Sequence, residues 1–179
     1  PRKGIFVSLL AVIVGLAGMM QLAGVKKKSS ELPFIHDVST DTQNPPMFTD
    51  AILSERAKLE KANPVNYVGK MDPKGEKLVS VLQSKGYPDI RPIILEEEPG
   101  VVFGQAMVVA KNLGWDIKSE DTVSGLIEAT DTTFWYGFKD DVVIRIKPSE
   151  GGGSVLDIRS LSRVGGTDLG KNAARIREF

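Results

Sequence analysis

Arg145 in "DDVVIRIK" and Arg159 and Arg163 in "SVLDIRSLSRV" are the side chains whose type and spacing carry the clearest chemistry. A guanidinium presents a planar fork of donors that fits a carboxylate or a phosphate in two-point fashion. Read as strands, these stretches alternate. Arg145 and Lys147 share a face of one strand, and Val155, Asp157, Arg159, Leu161 and Arg163 share a face of the next. Glu128 joins them from "LIEATDT". One reading is a cross-strand ion ladder on an open sheet face, each pair contributing about 0.2–1 kcal/mol. The other is a site for a small anion or lipid headgroup on Arg145, Arg159 and Arg163. Acidic partners on the same face make the ladder the preferred reading.

Other chemistry is thinly represented. His36 stands beside Asp37, and a carboxylate can orient an imidazole. No nucleophile is visible for that pair, so the expectation is a histidine bonded to the backbone of a turn. Ser160 and Ser162 fall on the apolar side of their strand and lack the turn that exposes a nucleophilic serine. "RVGGTDLG" resembles a glycine loop ahead of a helix but lacks the order of a phosphate-binding loop. The chain has no cysteine and a single histidine, which removes thiol chemistry and fits zinc or copper poorly. No metal, cofactor or catalytic residue is therefore expected. With 23 basic and 23 acidic residues the charge balances, which disfavours a nucleic-acid partner.

The elements that would position these residues read as α+β. "LEEEPGVVFGQAMVVAKNLGWDI" predicts a helix with three glutamates at its positive end, Pro99 in its first turn and Gly114 past its end. Phe103, Met107 and Ala110, widened by Val102, Ala106, Val109 and Leu113, predict burial against a sheet. Four strands follow: "WDIKSED", "GLIEATDTTFWYGF", "DVVIRIK" and "SVLDIRSLSRV". Their short connections favour an antiparallel meander. A last helix through "LGKNAARIREF" is capped by Thr167 or Asp168. The expectation is an α-β-β-β-β-α core, a four-stranded antiparallel sheet with helices packed on one face. Shorter helices are expected in "TDAILSERAKLEKANP" and from about Gly75 to Lys85.

Ahead of this domain, residues 5–25 carry no charge, which at helical rise spans about 30 Å, the thickness of a hydrocarbon core. A transmembrane anchor is expected over residues 1–28, with basic flanks at Arg2, Lys3 and Lys26–Lys28. A cleaved signal peptide is the alternative, with a shorter apolar part and a small-residue site. Ser8, Ala11, Gly15 and Gly18 share one helix face on which another helix can pack closely. Two basic residues before the run and three after leave the positive-inside rule nearly mute. Residues 29–70, with Pro33, Pro45 and Pro46, predict an extended strap and a short helix, and residues 71–179 the α+β domain.

"IHDVSTDTQNPP", "GLIEATDTTFWYGFKDDVVIRI" and "DIRSLSRVGGTDLGKNAARI" resemble the bacterial and plastid family catalogued as domain of unknown function 1499. The resemblance runs from about Ile35 to Ile176. It implies an exported or membrane-anchored domain and supplies no activity. With the anchor, it gives the expected function: a non-catalytic single-span protein of the inner membrane with its domain in the periplasm. It would serve as an accessory or structural subunit of an integral membrane complex, with lipid around the anchor.

Overall fold

The structure is a computed structural model that describes residues 32–133 and 137–179. The expected membrane span and its small-residue face, Ser8, Ala11, Gly15 and Gly18, lie outside the described residues. Among the described residues no helix is long and apolar enough to cross a membrane. Residues Phe34–Phe179 form one compact unit.

The described residues form an antiparallel sheet and four helices. The strands are β1 (Asp37–Ser39), β2 (Ile93–Leu95), β3 (Asp116–Asp121), β4 (Leu126–Thr132), β5 (Lys139–Pro148) and β6 (Ser154–Ser162). The helices are α1 (Asp50–Arg56), α2 (Val79–Gly86), α3 (Pro99–Asn112) and α4 (Lys171–Glu178). The sheet therefore has six strands, not the four expected. The expected meander is present as β3-β4-β5-β6. The two additions are β1 and β2, which both pair with β6, at its far and near ends. Each has three residues, too short to show an alternation, and each exists only because β6 offers it an edge.

Local signals explain most boundaries. Pro99 opens α3 and Gly114, at φ 77°, lets the chain leave it, with Trp115 N–H closing on Ala110 O at 3.1 Å. Thr49 caps α1, accepting from Ala51 N at 3.4 Å. The last helix is begun by Asp168, whose carboxylate takes the N–H groups of Gly170 and Asn172, each at 2.9 Å.

Helices do not keep to one face. Ser160 and Ser162 look toward α4 through Asn172. On that side Val142, Ile144, Ile146, Leu156 and Ile158 are buried, and α3 lays its apolar surface on β3, β5 and β6. The opposite face carries Val143 and Leu161, and α1 and the strap cover it with Phe48 and Ile52. The face read from sequence as open is thus a second buried layer. The proline-rich segment brings apolar residues to it as well as turns.

Candidate functional site

The polar residues that alternation placed on one face are there, but as an interior. Glu128 and Arg159 are fully buried, and Arg145, Asp157 and Arg163 nearly so; Lys147 alone of the set is exposed.

Arg159 projects from β6 beneath the strap. Its Nε and Nη2 grip Asp37 of β1 at 2.9 Å each, a two-point ion pair. Its remaining donors reach Pro46 O at 3.2 Å and Val65 O at 2.6 Å. The rings of Phe48 and Tyr67 face the guanidinium at 5.2 and 5.5 Å from their centroids. Asp37 has a second cation, Lys70 Nζ at 2.6 Å. Burial pushes the Asp37 carboxyl up, but Arg159 and Lys70 outweigh it and hold the group below the usual carboxylate range. Burial pulls the Lys70 ammonium down, and Asp37 only partly offsets this.

Beside this centre, Gln83 of α2 acts as a substitute strand residue. Its Nε2 donates to Ser39 O at 2.6 Å and its Oε1 accepts from Ser39 N at 2.9 Å. Tyr67 O–H donates to the same Oε1 at 2.7 Å. A side-chain amide thereby satisfies a buried edge of β1 that no further strand pairs. Burial raises the Tyr67 phenol, which stays a donor.

The other two arginines are paired also. Arg163 meets Asp141 of β5 at 2.8 Å and Glu55 of α1 at 2.6 Å. Asp141 also takes Arg56 Nη1 at 2.7 Å and Thr130 Oγ1 at 2.9 Å. Arg145 meets Asp157 at 2.7 Å and Asp41 at 3.1 Å, and its Nε has no hydrogen-bond partner among the described residues. Glu128 turns to the start of α1, accepting from Thr49 N at 2.7 Å and from the Thr49 hydroxyl. The arrangement is a set of ion pairs that bolts the strap and α1 to the sheet. Of the sequence-predicted trio, Arg159 and Arg163 spend their named contacts on the protein itself, and the three guanidiniums do not share a partner.

The hydrogen bonds of His36 and Asp37, adjacent in sequence, go to different partners. The carboxylate goes to Arg159 and Lys70, while His36 Nδ1 lies 3.3 Å from Gly166 O. That is the turn-bonded histidine expected. Burial lowers its pKa, and Lys70 and Arg56 add to the effect. On the other face Ser160 Oγ donates to Asn172 Oδ1 at 2.7 Å, and Arg175 donates to both, at 2.9 and 2.7 Å. Arg175 further pairs with Asp131 and Asp140. Among the described residues no cluster could hold a metal ion.

A cavity of about 290 Å³ lies against this network, lined by His36, Asn63, Pro64, Lys70, Met71, Pro73, Gly165 and Gly166. Lys70, Asp141, Gln83 and Arg56 escaped the reading of the sequence. Lys70, Gln83 and Arg56 sit in segments with ordinary mixed charge, and only the tertiary packing of the strap distinguishes them.

The family model described as Protein of unknown function (DUF1499) matches residues 37–179, and the chain belongs to that family. No curated protein matches this chain.

Proposed function

We propose that this DUF1499 member is a non-catalytic, single-span accessory or structural subunit of a larger membrane complex. Its domain would lie on the periplasmic side of the inner membrane. The observation that carries the reading is how the reactive groups are used. Arg159, Arg163, Arg175 and Ser160 are engaged by named partners inside the domain, and these contacts tie strap, helices and sheet together. A domain whose polar interior is committed to holding shape suits a rigid element presented at the end of an apolar anchor. The uncharged run of residues 5–25 supports that anchor, and the small-residue stripe Ser8, Ala11, Gly15 and Gly18 offers a helix-packing face.

Purification of the full chain from native membranes in mild detergent tests this. A stoichiometric integral membrane partner is expected. A monodisperse monomer would contradict the reading.

One observation favours the anion-binding alternative: among the described residues Arg145 retains an Nε without a hydrogen-bond partner, while its pairs with Asp157 and Asp41 both go through Nη2. Titration of inorganic phosphate into the wild type and Arg145→Gln decides it. Identical titrations of the two would end that alternative.

A further inference from the structure

The cavity beside His36 has an asymmetric wall. Met71, Pro64 and Pro73 make one part apolar. The Phe34 ring and Pro73 close on Gly166, at 3.5 and 3.6 Å from where a Cβ would stand. The polar part is His36, Asn63 and Lys70.

Two of these polar groups have bonding capacity that the protein leaves open. An ammonium has three N–H donors. Lys70 directs its named contacts to Asp37 at 2.6 Å and Pro64 O at 2.7 Å, so one N–H remains. His36 is 6% exposed, and its Nε2 has no hydrogen-bond partner among the described residues. With Nδ1 donating to Gly166 O, Nε2 of the neutral ring is an acceptor. His36 itself lines the cavity, and its Nδ1 contact is long for a hydrogen bond, at 3.3 Å. The charged groups acting on the imidazole are Lys70, Asp37 and Arg56, and among the described residues Lys70 is the one charged residue in the cavity wall. Asp37 is already shared between Lys70 and Arg159.

We propose that this cavity binds a small monocarboxylate carrying a short apolar chain. One carboxylate oxygen takes the open N–H of Lys70. The other pairs with His36 Nε2 across a single proton, taken up from solvent when the ligand arrives as the anion. The chain lies along Met71, Pro64 and Pro73. A carboxyl group supplies both the missing acceptor and the missing donor. The volume is at the lower end of the range of small-molecule sites, about 300–1,000 Å³.

The single histidine makes the test direct. Tag-free full-length protein, labelled with ¹⁵N in its imidazole and held in nanodiscs, is titrated with hexanoate at several pH values. Hexanol and inorganic phosphate are run in parallel. The expected result is a saturable movement of the His36 signals toward the imidazolium form with hexanoate alone, and a raised titration midpoint. Met71→Glu, at a half-exposed wall position that leaves the Asp37–Lys70–Arg159 centre intact, should weaken binding by about tenfold or more. Absence of saturation overturns the proposal. So does an equal response to hexanol or to phosphate, and so does unchanged hexanoate affinity in Met71→Glu.

Discussion

Asp37→Asn keeps the size of the side chain and removes only the charge, at a site fully closed to solvent. Two cations, Arg159 and Lys70, then face no carboxylate, and Arg159 has no exposed surface through which water could reach it. Breaking one partner out of a buried pair costs about 3–5 kcal/mol. Domains of this size are stable by about 5–15 kcal/mol, so the change removes a large share of the total. The internal control is Arg177→Gln, whose partner Asp89 lies on the surface with both side chains about half exposed (45% and 54%). Exposed pairs contribute about 0–1 kcal/mol. Urea unfolding of the two variants beside the wild type gives both numbers. Lys70 adds a signature that a mere packing defect would not show. Its folded pKa is already lowered by burial, and loss of Asp37 removes the group that raises it. The unfolded chain then holds more protons than the folded one below the ordinary lysine range, so stability rises with pH. The deficit of Asp37→Asn should therefore narrow toward alkaline pH. A cost no greater than that of Arg177→Gln, or a deficit flat with pH, would refute the reasoning.

Three further outcomes are expected. His36 should titrate below its ordinary value of 6.5, because burial and then the Lys70 and Arg56 charges disfavour the imidazolium. A neutral buried histidine contributes stability above the unfolded pKa that declines as pH falls toward the folded one, so His36→Phe should flatten the stability profile just below pH 6.5. Gln83→Leu leaves the N–H and C=O of Ser39 unpaired in a buried setting and should cost about 1–3 kcal/mol per orphaned group in thermal unfolding. Gly125→Ala meets both a left-handed backbone, φ 67°, and Ile146 O at 2.1 Å from the new Cβ. Gly75→Ala meets only the backbone cost, φ 72° with nothing near, about 1–2 kcal/mol. Denaturant midpoints should therefore fall markedly further for Gly125→Ala.

Alternation in the β4, β5 and β6 segments placed each polar side chain on its correct face, because side-chain direction in a strand has a fixed period. Pro99 and Gly114 marked the ends of α3 for equally local reasons. What alternation could not reveal was what covers a face. Arg159 reads as surface in "LDIRSLS" because nothing in those residues announces Phe48, Tyr67 and Val65 arriving from the strap. Glu128, expected in a ladder, serves the start of α1 instead. β1 is the sharpest case. "DVS" has no strand signal of its own, and its place follows from pairing with β6 on one edge and with the Gln83 amide on the other. His36–Asp37 shows the same limit from the other side, since sequence neighbours on an extended chain point apart.

The proposed role as a subunit is tested most directly by cross-linking mass spectrometry on native membranes that contain the full chain. Lys26, Lys27 and Lys28 beside the apolar run, and Lys58 and Lys61 after α1, are the informative sites. Reproducible links from these lysines to one integral membrane protein are the predicted result. Links confined to this chain and its own copies would contradict it.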